Sequence, residues 1–155
     1  MIAKYKGEYY NYTNYPKYKH CIWRYNPVDG FTKHEFKNDS IVYMKEVTLL
    51  DLEELFLEVF SVCWHGENFV AAILDDGQLF ILSDELSDDF VSKHPLNYNN
   101  ALQFWSNTID IDECSEFYCK KMMDYPDCRD EVITLSKEEW LKEYNKISAL
   151  RKEKQ

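Results

Sequence analysis

The fold of this chain is constrained most tightly by Asp76-Gly77, a dipeptide set between two short apolar runs, Phe69 to Leu74 and Leu79 to Leu82. Asp and Gly both accept the positive φ of a type I′ turn, so apolar runs flanking them read as a β-hairpin. A third run, Val59 to His65, precedes the pair across Gly66-Glu67-Asn68. Together they predict a three-stranded antiparallel meander over residues 59–82.

The first third of the chain also reads as sheet. Tyr5 to Tyr12 and Tyr18 to Tyr25 are rich in aromatics, and the second run alternates so that Cys21, Trp23 and Tyr25 share a face. Asn26-Pro27-Val28-Asp29-Gly30 has turn chemistry and leads to a strand near Phe31 to Lys37, which completes a hairpin with the preceding run. Asn38-Asp39-Ser40 is a further turn before a strand at Ile41 to Met44. Strands are thus expected in two segments, 5–44 and 59–82.

Helices are expected elsewhere. Thr48 caps one in which Leu49, Leu52, Phe56 and Val59 fall on one face opposite Glu53, Glu54 and Glu58. Ser83 or Ser87 caps a short one through Val91, stopped before Pro95, and Asn97 to Asn100 reads as loop or as the entry to a segment holding Ala101, Leu102, Phe104 and Trp105. Asp112 to Asp124 is expected to be helical, and Val132 to Leu135 a short strand. Ser136-Lys137-Glu138-Glu139 matches a capping box before a stripe of Trp140, Leu141, Tyr144, Ile147 and Leu150. The expected fold is a single α+β domain over 155 residues, an antiparallel sheet with helices packed mainly on one face. That length buries roughly 68–70% of the unfolded surface without staples.

Charge is unevenly spread. Residues 1–46 hold eight Lys/Arg and five Asp/Glu, residues 47–136 hold four and nineteen, and residues 137–155 hold six and four. So acidic a middle favours cationic partners and disfavours nucleic acid and anionic lipid. It also counts against reading the Tyr and Lys of the first 25 residues as a stacking surface for single strands, which otherwise resembles one. The start is polar and no run of apolar residues reaches eighteen, so a cytoplasmic chain without membrane contact is expected.

No catalytic or cofactor motif stands out, and no cofactor is expected. Cys63 and His65 lie two apart on an expected strand, about 7 Å from each other, too far for a direct thiol–imidazole hydrogen bond. Cys114, Cys119 and Cys128 lack the tight spacing of structural zinc ligands, so no metal is expected, and with Cys21 and Cys63 they are read as reduced thiols. The paired carboxylates sit in no calcium loop or phosphate cradle. Asp84, Glu85, Asp88, Asp89, Asp110, Asp112, Glu113 and Glu116 are the acids expected to face a partner, with Trp105 or Phe104 as an aromatic anchor.

In size, charge and layout the chain resembles the immunity proteins that neutralise bacterial polymorphic toxins. That resemblance implies a cytoplasmic inhibitor, inert by itself, that occludes a basic and often nucleolytic toxin. A cationic phosphate-binding cleft complements clustered carboxylates, which speed association. An adaptor for another basic protein or peptide, or a small enzyme using Cys63/His65 or an acidic metal pair, are the alternatives the residues leave open. They also leave open the oligomeric state, and whether the acidic stretch or the tyrosine-rich sheet is the binding face.

Overall fold

The computed structural model describes residues 1–14 and 19–152, so Tyr15, Lys17 and Tyr18 lie outside the described residues. The chain divides into two compact units. Unit 1 comprises Met1–Glu58, Lys121–Glu131 and Leu141–Gln155, and unit 2 comprises Val59–Lys120 and Val132–Trp140.

Unit 1 contains β1 (Ile2–Tyr5), β2 (Glu8–Thr13), β3 (His20–Arg24), β4 (Thr32–Glu35), β5 (Ile41–Val47) and the first part of β6 (Glu54–Trp64). They pair antiparallel in the order β4-β5-β3-β2-β1-β6. The run expected as one strand from Tyr5 to Tyr12 is a hairpin, because Lys6 and Gly7 both take positive φ, 51° and 77°, and close the two-residue turn between Tyr5 and Glu8. Nor do β3 and β4 form the expected hairpin: β5 lies between them and pairs with both. One face of this sheet buries Ala3, Tyr5, Tyr10, Ile22, Val47, Leu52 and Leu55, with Val28, Phe31 and Tyr125 packed against them. On the other face, the C-terminal helix α2 (Lys137–Arg151) meets β2: the Asn11 amide donates to the Leu150 carbonyl, and the Lys146 ammonium stands 4.1 Å from the Tyr9 ring centroid.

Unit 2 continues β6 into β7 (Glu67–Ile73), β8 (Leu79–Ser83), β9 (Asn97–Asn99) and β10 (Phe104–Ile109), paired in the order β6-β7-β8-β10-β9. The meander expected over 59–82 is present as β6, β7 and β8. Its second turn differs in kind from the expected one. Gly77 alone has positive φ, 84°, and its N–H bonds the Leu74 carbonyl at 2.9 Å, a type I turn closed by a left-handed glycine. Val62, Phe69, Leu79, Ile81 and Ile109 form the buried face. The short helix α1 (Asp88–Lys93), capped by Ser87, sets Phe90 against Trp64 and Phe69.

The expectation of helices packed mainly on one face does not hold. Strands take 51% of residues and helices 18%, and the long helix is α2 alone. The helical stripe after Thr48 becomes a 3-10 turn at Leu49–Asp51 followed by β6. Pairing of Leu55 with Ala3 and of Phe56 with Ile2 buries both neighbours at once, an outcome helix propensity is too weak to oppose. The segment Asp112 to Asp124 likewise becomes a 3-10 turn, Ile111–Glu113, and β11 (Glu116–Tyr125), which pairs with β6 and with β12 (Arg129–Leu135). Strands therefore extend well beyond the two expected segments, and residues 104–109 are β10 rather than part of a helical region. The C-terminal helix matches expectation, including its box: Glu139 N–H bonds Ser136 Oγ at 3.2 Å, and Ser136 N–H bonds the Glu139 carboxylate at 2.9 Å.

Candidate binding surfaces

Charge divides between the units more sharply than along the sequence. Unit 1 carries fifteen Lys/Arg and fifteen Asp/Glu, while unit 2 carries three and thirteen, so the entire net charge of −10 resides in unit 2. All eight acids expected to face a partner belong to unit 2, as do Trp105 and Phe104.

Five of the eight have local partners. The Asp110 carboxylate accepts from Asp112 N–H at 2.8 Å and Glu113 accepts from Asp110 N–H at 2.8 Å, reciprocal caps of the 3-10 turn. Asp112 pairs with Lys137, Asp89 with Lys93 at 2.8 Å, and Glu116 accepts from the Tyr118 hydroxyl. That last bond pushes the Tyr118 phenol up to about 12, because the proton it donates is held by a carboxylate. Asp84, Glu85 and Asp88 have no side-chain partner among the described residues.

Asp84 and Glu85 follow β8 and border an open depression of about 590 Å³, lined also by Val70, Leu82, Leu102 and Phe104. Strand alternation makes it. Val62, Phe69 and Ile81 face the core, so Ser61, Val70 and Leu82, which stand in register across β6, β7 and β8, face outward. Leu102, 69% exposed, lines the same depression from the loop before β10. An apolar floor with an anionic rim results. Trp105 does not join it; the ring packs at 4.6 Å on Tyr98 instead, and of the two expected anchors it is Phe104 that reaches the depression. Sequence spacing could have flagged Val70 and Leu82 as outward apolar positions, since each alternates with core residues, but only the strand register shows them side by side.

The Cys63/His65 pair is separated by the hairpin turn. Cys63 is buried and its carbonyl accepts from Ser115 N–H, whereas His65 has φ 50° in the turn and stacks on His94, centroids 4.4 Å apart. No hydrogen bond joins the two side chains among the described residues. Burial, followed by Glu113, pushes the Cys114 thiol up to about 11, Cys119 is buried and Cys128 is exposed. Among the described residues no three His, Cys, Asp or Glu side chains converge as a metal-binding group, and no helix is long and apolar enough to cross a membrane.

Unit 1 has a different open surface. Where α2 does not cover its sheet, Cys21, Trp23 and Tyr25 from the β3 run, Val42 and Met44 from β5, and His34 and Phe36 at β4 line a groove of about 1300 Å³. No family model, curated protein or solved structure matches the chain.

Proposed function

We propose that the chain is a binding protein of the immunity class, which neutralises a basic, nuclease-type bacterial toxin by seating unit 2 in its cationic cleft. The observation that carries this reading is the confinement of the whole net charge to unit 2, beside an apolar depression rimmed by Asp84 and Glu85. A phosphate-binding cleft presents clustered Lys and Arg to solvent, so an anionic surface is steered into it and favoured over neutral competitors. Val70, Leu102 and Phe104 supply the desolvated apolar contact that charge alone does not, because rim charges set on-rate more than residence time. Asp84, Glu85 and Asp88 are the acids free to make new pairs; Asp89, Asp110, Asp112, Glu113 and Glu116 add field while holding local structure. The partner is thus a cationic protein, and neither nucleic acid nor a cofactor takes part.

The test uses the protein encoded directly beside this one. Co-expression should relieve its toxicity, and the triple variant Asp84→Asn/Glu85→Gln/Asp88→Asn should associate about tenfold or more slowly at low salt, with a flatter salt dependence. Unrelieved toxicity overturns the immunity reading, and equal on-rates for wild type and triple variant remove this surface from the interface.

A further inference from the structure

We infer that β4 is a self-complementary edge through which two copies of the chain pair, antiparallel, into a continuous sheet. The inference concerns unit 1 and is independent of the toxin reading. β4 ends the strand order, with β5 on one side and no strand on the other among the described residues. Phe36 N–H bonds the Ser40 carbonyl at 2.9 Å, and Phe36 continues the alternation of Thr32 and His34, which stand opposite Met44 and Val42. In an antiparallel ladder a residue turns its N–H and C=O to the same side, and neighbours turn theirs to opposite sides. Thr32, His34 and Phe36 therefore bond β5, while Lys33 and Glu35 present their backbone groups to the open edge. All four β4 residues are exposed, and neither Lys33 nor Glu35 has a side-chain partner among the described residues.

Charge selects the register. Outward-turned residues must face outward-turned residues, which leaves three central alignments. Placing Lys33 opposite Lys33 of the second copy, or Glu35 opposite Glu35, sets like charges directly across the ladder, a destabilising arrangement. Placing His34 opposite His34 instead sets Lys33 opposite Glu35 twice, and each pair exchanges two backbone hydrogen bonds. Lysine on an edge strand ordinarily discourages such pairing; a Lys-x-Glu sequence reverses that, because the second copy brings the opposite charge to each position. In this register Phe36, 51% exposed beside the apolar groove, stands across from Thr32 of the second copy, so its ring gains cover. So short an edge makes a small, weak interface.

Sedimentation velocity on the full chain from about 5 to about 500 µM, the range in which small interfaces assemble, reads the outcome. Wild type should show a concentration-dependent monomer–dimer equilibrium. Lys33→Glu alone and Glu35→Lys alone should each weaken it by about tenfold or more, since both pairs become repulsive. The double variant Lys33→Glu/Glu35→Lys should restore it, and an equimolar mixture of the two single variants should form heterodimers. Circular dichroism confirms that these exposed substitutions leave the fold intact. A wild type monomeric throughout the range, or a dimer indifferent to the single variants, overturns the inference. A dimer that the double variant fails to restore overturns the register.

Discussion

The two units share one material, antiparallel strands joined by tight turns, yet unit 1 balances its acids with an equal number of bases and unit 2 does not. In unit 1 acids meet bases: Lys4 with Glu53, Lys19 with Glu46, Arg24 with Glu8, and the largely buried Lys121 with Glu54 at 2.7 Å. In unit 2, with three bases for thirteen acids, Asp89 and Asp112 pair with lysines while other acids are held by backbone N–H groups, Asp76 by Gln78, Asp110 by Asp112, and Glu113 by Asp110. A carboxylate held by a backbone donor keeps its negative field, whereas one held by lysine largely cancels it. Turn chemistry thus lets unit 2 gather acids such as Asp76, Asp110 and Glu113 that each hold a turn, while the Asp84, Glu85 and Asp88 carboxylates have no side-chain partner among the described residues.

The largest effect that separates the units should come from Trp140, fully buried in unit 2 against Phe60 and Phe117, with its indole N–H donating to the Tyr118 carbonyl at 3.1 Å. Trp140→Ala should cost about 3–5 kcal/mol. Urea unfolding followed by hydrogen exchange of each unit checks it: early loss of protection confined to unit 2 means the units unfold separately, and joint loss means they are one cooperative structure.

A smaller effect distinguishes structural acids from spare ones. Asp110→Ala removes the cap of the 3-10 turn and should cost about 1 kcal/mol. The triple variant at Asp84, Glu85 and Asp88 should change stability by no more than about 0.5 kcal/mol in either direction. Comparing their melting temperatures is sufficient, and a triple variant as destabilised as Asp110→Ala would mean that those three acids hold structure.

The smallest expected effect is one the units share. Backbone N–H groups of Thr48 in unit 1 and Ser136 in unit 2 hold the Asp51 and Glu139 carboxyls below their ordinary values. A depressed carboxyl contributes stability above its unfolded pKa, about 3.9 for Asp and 4.3 for Glu, and that contribution disappears as pH falls through the lower folded value. Stability should therefore decline below about pH 4, and the decline should be shallower in Asp51→Asn and in Glu139→Gln. An unchanged acid limb in both variants would assign the decline to other carboxylates.

Much of the architecture was legible where sequence signals are local. The capping box at Ser136, the cap at Ser87 and the apolar runs from Val59 to Leu82 each depend on residues a few positions apart, and each appears where expected. The two failed helices show the limit. In β11 the residues Phe117, Cys119, Lys121, Met123 and Tyr125 alternate with period two, a strand signal obscured because a lysine occupies one of the alternating positions. Lys121 fits there because its ammonium lies 4.0 Å from the Phe56 ring and pairs with Glu54, neither of which is near it in sequence. The joining of Val70, Leu82, Leu102 and Phe104 into one outward face was illegible for the same reason, since they come from three segments, β7, β8 and the loop and start of β10.

The sequence alone determined where the turns of the 59–82 meander fall, the caps at Ser87 and Ser136, the last helix, the amount of charge and its concentration toward the middle of the chain. Tertiary structure decided which strands pair, that two helix-like segments are strands, and that every unit of net charge belongs to unit 2. The physical reason is range. Turns and caps are settled by dihedral preferences and hydrogen bonds within a few residues, whereas strand pairing and the sharing of a surface depend on partners up to a hundred or more positions distant, such as Asn11 and Leu150, whose approach no local pattern encodes.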